Sequence, residues 1–321
     1  MQSASAPSTG ERDERVIDWL LAADEPGIRM QVRRDLLGEA ADDDEAAVLE
    51  GPLVRQLLAG QQPDGGFGVH PYKKWDGAHW RLVSMVELGV PPGESRALAA
   101  AEDVLAWLTG RAHRSTIREI AGRTRRCASQ EGNALAVCVR LGMADDPRVR
   151  LLAESLVGWQ WADCGWNWDK TPRVTHSSLN ESLPPVWGLS QYARATSDTA
   201  AAEAAHRASE FFLDHRMFRS HRSGEVDDPK WLESPYPAYW HYNYAQGLTI
   251  LARASALPDE RAAEAVARLR ERQQPDGSWH VDGAPYWRRS GVYWDPAGWE
   301  RSGPSRMLTL NALRVLKAAR A

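Results

Sequence analysis

The chain has 321 residues, 43% of them hydrophobic and 26% charged, so it can bury a sizeable core and does not have a disordered composition. Lys and Arg total 39 against 43 Asp and Glu, a net charge of −4 that gives nucleic-acid binding no support. Three cysteines are too few for a disulfide framework, and no apolar run reaches the roughly 18 residues that span a bilayer, so we expect a cytoplasmic protein without an integral membrane segment.

The first 14 residues, MQSASAPSTGERDE, are polar and lack the apolar middle of a signal peptide. They are predicted to be a disordered tail, and 15–321 is predicted to be one domain. In that domain Ala, Leu, Arg and Glu recur at helical spacing, while alternating runs of Val, Ile and Thr hardly occur. This pattern predicts an all-α domain.

The predicted helices recur as a pair, an apolar helix followed by a short turn and a more charged helix. After a charged helix near 46–60, the pairs are 78–89 with 95–109, 128–141 with 147–160, 177–195 with 199–215, and 240–255 with 259–273. The last helix, 305–319, has no partner after it, and the helical region 15–37 has none before it. We therefore predict about six hairpins whose two ends meet, with an inner ring of apolar helices and an outer ring of charged ones.

Three of the charged helices end in a glutamine followed by a glycine–aromatic loop: QQPDGGF (61–67), QWADCGW (160–166) and QQPDGSW (273–279). This ending resembles the Q-W repeat of squalene and oxidosqualene cyclases, which share the α/α-toroid superfamily with the protein prenyltransferase β subunits. The resemblance implies a single-domain α/α toroid and an isoprenoid-like, apolar small molecule in its central cavity. It also implies a structural role, in which a glutamine at the helix end satisfies carbonyls beside an aromatic ring, for Gln62 with Phe67, Gln160 with Trp166, and Gln274 with Trp279.

Tryptophan is unusually frequent, with 15 residues against four phenylalanines. Apart from the Q-W endings, many of these residues lie in or next to the long loops 68–78, 165–176, 218–240 and 280–304, which a ring places at one end. Such a group can form a cup over the barrel mouth that binds an apolar ligand, or it can simply plug the barrel. Its members are Trp75, Trp80, Trp168, Trp240, Trp287, Trp294 and Trp299.

Polar residues stand at the predicted starts of four inner helices, where a dry barrel would have apolar ones. Glu131 and Glu181 are the candidate general acids, because burial favours a protonated carboxyl. Three histidines are candidates for proton transfer: His79, His176 and His241. The candidate substrate-binding residues are Trp75, Trp80, Arg81, Cys127, Asn133, Trp168, Trp240, Tyr242, Tyr244 and Trp287. The pair Pro184-Pro185 is expected to kink or delay its helix, which would leave Glu181 on loop-like backbone.

The resemblance does not extend to the catalytic motifs of the family. The DxDD motif of triterpene cyclases is missing, and the acidic run 42–45 reads as a solvated turn. Asp163 and Cys164 are adjacent, whereas the zinc-binding Asp and Cys of prenyltransferases are separated by one residue. No cofactor is predicted, and zinc held by Cys127, Cys164, His176 and His241 is kept as an alternative because thiolate and imidazole suit that metal.

Three functions remain open from the sequence. The first is a terpene cyclase-like or prenyltransferase-like protein that binds an apolar small molecule, with or without acid–base catalysis. The second is a non-catalytic toroid that serves as a scaffold or interaction protein. The third is a carbohydrate-active toroid, because aromatic loops suit sugar stacking, although no pair of carboxylates across a cleft is recognisable. A cavity of several hundred Å³ would favour the first and a filled barrel the second.

Overall fold

The computed structural model describes residues 9–40, 45–283 and 297–320. Its α-helices are α1 (Thr9–Leu21), α2 (Pro26–Val32), α3 (Glu45–Val48), α4 (Pro52–Leu58), α5 (Ala78–Glu87), α6 (Ser95–Thr109), α7 (Arg111–Arg114), α8 (Ala128–Arg140), α9 (Pro147–Trp159), α10 (Leu179–Thr196), α11 (Thr199–Asp214), α12 (Tyr244–Arg253), α13 (Ala263–Glu271) and α14 (Arg306–Ala318). A π-helical turn, Arg33–Leu37, extends α2, and the 3₁₀ turns are Pro229–Leu232 and Glu260–Ala262.

The helices form an α/α toroid. The inner ring consists of α2, α5, α8, α10, α12 and α14, and the outer ring of α1, α4, α6, α9, α11 and α13. Asp, Glu and Ser side chains cap several helix starts, as at Asp146, whose carboxylate accepts from the backbone N–H of Arg148 at 2.7 Å. The predicted all-α toroid is therefore confirmed, and the predicted hairpins agree with the observed helices to within a few residues.

The two ends of the chain meet and complete the ring, as predicted. The last inner helix, α14, lies beside α2, and the Nη2 atom of Arg314 donates to Oε1 of Gln31 at 2.8 Å. The guanidinium of Arg306, at the start of α14, lies 5.0 Å from the ring centroid of Trp19 in α1. The sixth hairpin is thus assembled from the last helix and the first one.

Two of the three Q-W loops tie neighbouring outer helices together. The side-chain amide of Gln61 donates to the backbone carbonyl of Arg96 in α6 at 2.7 Å, and that of Gln160 donates to the carbonyl of Ala204 in α11 at 2.9 Å. Each of these acceptors belongs to the outer helix that follows in the chain. The glutamine of the repeat therefore has a structural role.

The details of the repeat differ from the expectation in two ways. Gln62 and Gln274 were predicted to be the glutamines with the structural role, but each stands one residue beyond the first glutamine of its repeat. The Gln274 amide donates to the carbonyl of Arg272 in its own loop at 3.0 Å. The indole N–H groups of Trp166 and Trp279 donate to a backbone carbonyl ten residues earlier, at 3.0 and 2.8 Å. Those carbonyls lie in the last turns of α9 and α13, so the indoles cap the outer helices.

The helices α8 and α10 approach each other most closely at two glycines. A Cβ atom on Gly132 would lie 2.4 Å from the backbone nitrogen of Pro185 and 2.5 Å from the carbonyl carbon of Pro184. On the facing helix, a Cβ atom on Gly188 would lie 2.5 Å from the carbonyl oxygen of Gly132. The proline pair does not delay α10, which begins at Leu179, so the expected loop-like backbone at Glu181 is wrong.

Only short strands accompany the helices in the described part of the chain. The strand β1 (Arg118–Ile120) pairs with β2 (Arg123–Arg125), and β3 (His280–Val281) pairs with β4 (Gly303–Pro304), both antiparallel. None of the described helices combines the length and the apolar character needed to cross a membrane. The cytoplasmic location stays a prediction. The first helix begins at Thr9, before the predicted domain start at 15, and residues 42–44 of the acidic run lie outside the described residues.

Candidate active site

The N-terminal ends of the inner helices and the segments that lead into them form one end of the ring, which we call the loop face. Its segments include 59–77, 110–127, 160–178 and 215–243. The polar residues predicted at inner-helix starts lie here, but several precede their helix. Cys127 is the N-cap of α8, and α12 begins at Tyr244, after His241 and Tyr242.

Glu181 lies in the first turn of α10 and is fully buried. Its Oε2 atom accepts from the backbone N–H of Ser129 at 3.1 Å, and its Oε1 atom accepts from the indole N–H of Trp240 at 2.9 Å. Burial raises the pKa of this carboxyl, and the nearby negative charge of Glu131 raises it further. The two hydrogen bonds lower the pKa but do not cancel the increase. The net result is a raised pKa, which favours the protonated form.

Glu131 lies one turn into α8 and is also buried, but it is paired with cations. Its Oε1 atom accepts from Nε and Nη2 of Arg126 at 2.9 and 2.8 Å, and from Nε2 of His113 at 3.0 Å. Burial alone would raise the pKa of Glu131, but the hydrogen bond from His113 and the charge of Arg126 outweigh it and lower the pKa. Glu131 is therefore held as a carboxylate, a form that suits a base or an ion pair and not an acid.

The pKa values of the two carboxyls are thus shifted in opposite directions, and the charge of Glu131 contributes to the shift at Glu181 on the neighbouring inner helix. Glu181 has no cationic hydrogen-bond partner among the described residues, whereas Glu131 has Arg126. Opposite displacements of two acidic groups in one site are a common arrangement for a general acid and a general base. This pair of carboxyls is the part of the loop face best suited to acid–base chemistry.

We expect the raised pKa of Glu181 to be visible in the pH dependence of stability. The native state binds this proton more tightly than the unfolded chain, so the stabilising contribution is complete below the ordinary value of 4.5 and is lost as the pH rises through the native pKa. The loss should amount to about 1.4 kcal/mol for each unit by which the pKa is raised. Urea unfolding between pH 4.5 and 8 should show this decline in the wild type and not in Glu181→Gln. Identical slopes for the two proteins would contradict the assignment.

An aromatic cluster adjoins Glu181 through Trp240, which packs against the cluster and donates to that carboxyl. Trp75 and Tyr239 stack with their ring centroids 4.6 Å apart and their planes 10° apart, and Trp80 meets Trp75 edge-on at 4.7 Å. All three side chains are buried. The ammonium of Lys74 lies 5.1 Å from the ring centroid of Trp240 and 5.3 Å from that of Trp75, on the outer side of the cluster. In this conformation the tryptophans pack against one another.

The three candidate histidines do not form one group. His79 is fully buried, its ring nitrogens have no hydrogen-bond partner among the described residues, and burial lowers its pKa to about 3. His241 is half-buried beside Trp240, and burial together with the charge of Lys74 lowers its pKa to about 4. His176 is exposed and lines a different groove. His79 and His241 are therefore neutral at pH 7, and the proton-transfer role of all three stays a prediction.

Three of the predicted binding residues make contacts within the fold, and their role in substrate binding stays a prediction. The guanidinium of Arg81 donates to the backbone carbonyl oxygens of Asp76 and Leu57, both at 2.7 Å. The hydroxyl of Tyr242 donates to the backbone carbonyl of Met217 beneath the loop face. The buried ring of Tyr244 packs in the core with the Arg268 guanidinium 5.8 Å from its centroid. The polar groups of Arg81 and Tyr242 therefore connect elements of the fold.

The barrel interior is nearly filled. Segment 235–239 enters it from the loop face, and the remaining cavity, lined in part by Asn133, measures ≈ 80 Å³. A cavity of about 150 Å³ holds a molecule as small as benzene, so a cavity half that size does not accommodate an isoprenoid in this conformation. Trp287 and Trp294, predicted to cover the barrel, lie outside the described residues.

Open grooves lie at the periphery of the loop face. One, of ≈ 640 Å³, is lined by Arg125, Cys127, Trp168 and Lys170 among others, and we call it the Trp168 groove. A second, of ≈ 670 Å³, contains Cys164 and His176. Burial raises the pKa of the Cys127 thiol to about 12, with a further contribution from Glu181. Cys127 is therefore a neutral thiol that forms one wall of the Trp168 groove.

The alternative zinc set is not brought together. Cys164 and His176 line the second groove, Cys127 lines the Trp168 groove, and His241 packs against Trp75 and Trp240. Within residues 9–40, 45–283 and 297–320, no three His, Cys, Asp or Glu side chains are close enough to hold a metal ion.

Two solved structures are similar to this chain. A crystal structure of an unsaturated glucuronyl hydrolase specific for heparin has a TM-score of 0.50 at 13% sequence identity, covering 95% of this chain and 86% of that chain. A crystal structure of a protein from Actinoplanes has a TM-score of 0.47 at 16% identity, covering 98% and 100% respectively. No family model and no curated protein matches the chain. The glucuronyl hydrolase is an α/α toroid, and the similarity supports that fold.

Sequence reasoning missed four residues that contact the predicted site residues. Arg126 and His113 donate to Glu131. Lys74 lies over the ring of Trp240, and Tyr239 stacks on Trp75. A usable signal was the stretch RAHRSTIREIAGRTRRC (111–127), which has six arginines and one glutamate. The local excess of positive charge does not show in the composition of the whole chain, which is slightly acidic. The segment also lies outside the helical repeat, on which the sequence analysis was based.

Proposed function

We propose that the protein is an acid–base enzyme of the α/α-toroid class that acts on a carbohydrate bound at the loop face. Glu181 would donate its proton to the departing glycosidic oxygen, and the carboxylate of Glu131 would accept a proton from the water that attacks the sugar. The observation that carries this proposal is the opposite displacement of the two pKa values within one buried cluster.

The surroundings of the carboxyls support a polar, ring-shaped substrate. The cavity between the inner helices is too small for an isoprenoid, whereas the Trp168 groove is open and reaches Cys127, whose pKa is raised in part by Glu181. Trp168 is 49% exposed and offers an indole face on which a sugar ring can stack. The similar structure is that of an unsaturated glucuronyl hydrolase, a sugar-cleaving enzyme, which makes glycosides the first substrates to test.

Catalysis in this scheme requires a movement. Glu181 is sealed by the hydrogen bond from Trp240, and the indole of Trp240 lies under the ammonium of Lys74. Substrate would reach the carboxyl after the Trp240 side chain moves out, which exchanges that hydrogen bond for one to the glycosidic oxygen. Movements that admit a substrate to a buried site are common in enzymes.

A second candidate function is a non-catalytic scaffold. Segment 235–239 fills the barrel, which is the arrangement expected if the tryptophans and tyrosines serve only as plugs. In that case Glu181 would have a structural role. Its carboxyl, on α10, accepts hydrogen bonds from α8 and from Trp240 in the loop before α12, and its raised pKa would be a consequence of this buried position.

A substrate screen tests the proposal. Purified protein would be incubated with unsaturated heparin disaccharides, neutral aryl glycosides and an isoprenoid diphosphate, and product formation followed by mass spectrometry. We expect turnover of at least one glycoside, with a bell-shaped dependence on pH that reports an acid and a base. Conversion of the isoprenoid alone would contradict the carbohydrate assignment and return support to a terpene cyclase-like role. Inertness toward every compound would favour the scaffold.

A further inference from the structure

A buried arginine on the wall of the Trp168 groove lacks partners for two of its N–H-bearing nitrogens. Arg125, the last residue of β2, is 2% exposed. Its Nη2 atom donates to the backbone carbonyl of Val174 at 2.9 Å, and its guanidinium lies 4.5 Å from the ring centroid of Trp161. The Nε and Nη1 atoms have no hydrogen-bond partner among the described residues, and none of those residues forms an ion pair with this side chain. A buried, unpaired guanidinium is costly unless an anion completes it.

The groove beside Arg125 can supply the rest of an anion site. Lys170 is exposed on its rim, and Thr116 and Thr171 line it. Trp168, in the same groove, is one of two large hydrophobic side chains that are markedly exposed in the described part of the chain. A cation in the wall and a flat indole at the rim match a ligand that has a ring and an acidic substituent.

The local charge favours the same ligand. Segment 111–126 contains six arginines and one glutamate, although the whole chain has a net charge of −4. A concentrated positive field of this kind attracts anions to the groove. The acidic residue that opposes it is Asp169, whose pKa is lowered by the hydrogen bonds from Thr171 and also by the charge of Arg125. Asp169 accepts from the backbone N–H of Thr171 at 2.8 Å and does not form an ion pair with Arg125.

We propose that the Trp168 groove binds an acidic group, a carboxylate, sulfate or phosphate, carried on a sugar ring. The free N–H groups of Arg125 donate to the acidic oxygens, Lys170 adds charge at the rim, and the ring stacks on Trp168. The sugar part of this inference rests on the proposed function, whereas the acidic part rests on Arg125. It restricts the substrates of the proposed enzyme to acidic sugars.

Isothermal titration of the full chain with four probes tests the site: glucuronate, N-acetylglucosamine 6-sulfate, glucose 6-phosphate and glucose. We expect at least one acidic sugar to bind tenfold or more tightly than glucose, and the preferred one identifies the acidic group. Equal affinity for glucose and all three acidic sugars, or no binding of any acidic sugar, would overturn the site.

Four variants separate the site from bulk electrostatics. Arg125→Gln should reduce the affinity for the preferred acidic sugar at least tenfold. Arg118 is an exposed charge in the same hairpin, so Arg118→Gln should change that affinity less than twofold. Asp169→Asn keeps an oxygen for the Thr171 N–H and removes the competing charge, so it should tighten binding about threefold. If Arg125→Gln does not fold, the exposed variant Lys170→Gln should weaken binding about threefold. An unchanged affinity in Asp169→Asn, or equal losses in Arg118→Gln and Arg125→Gln, would overturn the proposal.

The binding result can be distinguished from the catalytic one. Turnover of neutral glycosides without binding of acidic sugars would end this inference and leave the proposed enzyme class intact. Binding of acidic sugars without turnover of any glycoside would support the anion site and overturn the proposed reaction.

Discussion

Replacement of Glu181 by glutamine is expected to lower kcat on an active glycoside by about 10²–10⁴-fold, with KM changed less than threefold. Glutamine has nearly the same size and can still accept a hydrogen bond from Trp240, but it has no acidic proton to donate. Because substrate contacts outside the carboxyl remain, binding should be retained while the chemical step is lost. Steady-state kinetics of the purified variant would measure both parameters.

A matched control is available on the same face of the ring. Glu225 is exposed in the segment after α11, so Glu225→Gln makes the same side-chain substitution without touching the buried cluster and should leave kcat within twofold. The pH profile provides a second check, since loss of the acid should remove the limb on the alkaline side. An unchanged kcat and an intact alkaline limb in Glu181→Gln would show that another group protonates the substrate.

Substitution of Gly132 by alanine is expected to reduce the free energy of unfolding by about 3 kcal/mol, because overpacking against backbone has little room to relax. The new Cβ atom would stand 2.4 Å from the backbone nitrogen of Pro185 and 2.5 Å from the carbonyl carbon of Pro184. The proline rings restrict the backbone there, so α8 and α10 would have to separate. Urea denaturation followed by circular dichroism would measure the loss.

Gly158 provides the control for this substitution. It also lies in a helix, α9, but a Cβ atom added there meets no heavy atom within 4 Å. Gly158→Ala should therefore be neutral or stabilise the protein by up to about 0.5 kcal/mol, through the higher helix propensity of alanine. Similar stabilities for Gly132→Ala and Gly158→Ala would mean that α8 and α10 are not packed as closely as described.

The same α8–α10 contact shows how local rules can mislead. Pro184 and Pro185 favour a kink or a late helix start when only neighbouring residues are considered. In the fold the helix continues through them from Leu179, and Gly132 accommodates their backbone on the facing helix. The contact joins positions about 50 residues apart, so no local pattern could predict it.

The environments of the two candidate acids were predictable in part. Glu131 and Glu181 were equivalent candidates, since both stand near the start of an inner helix. The two carboxyls differ in their hydrogen-bond partners. Arg126 and His113 reach Glu131 from the segment before α8, whereas Trp240 reaches Glu181 from the segment before α12. Arg126 and Trp240 sit on irregular backbone, and His113 lies in the four-residue helix α7 outside the hairpin repeat, so the helical periodicity of the repeat carries no information on them.

The toroid itself followed from the amino-acid sequence, because helical spacing and capping residues are local patterns that recur along the chain, and Q-W endings follow three of the charged helices. The tertiary structure alone decided what the ring encloses. Segment 235–239 enters the barrel and leaves ≈ 80 Å³, while Arg125 and Trp168 are brought to an open groove outside it. The physical reason is that periodic patterns set which helix faces are buried, whereas the position of a loop depends on contacts between residues distant in the chain.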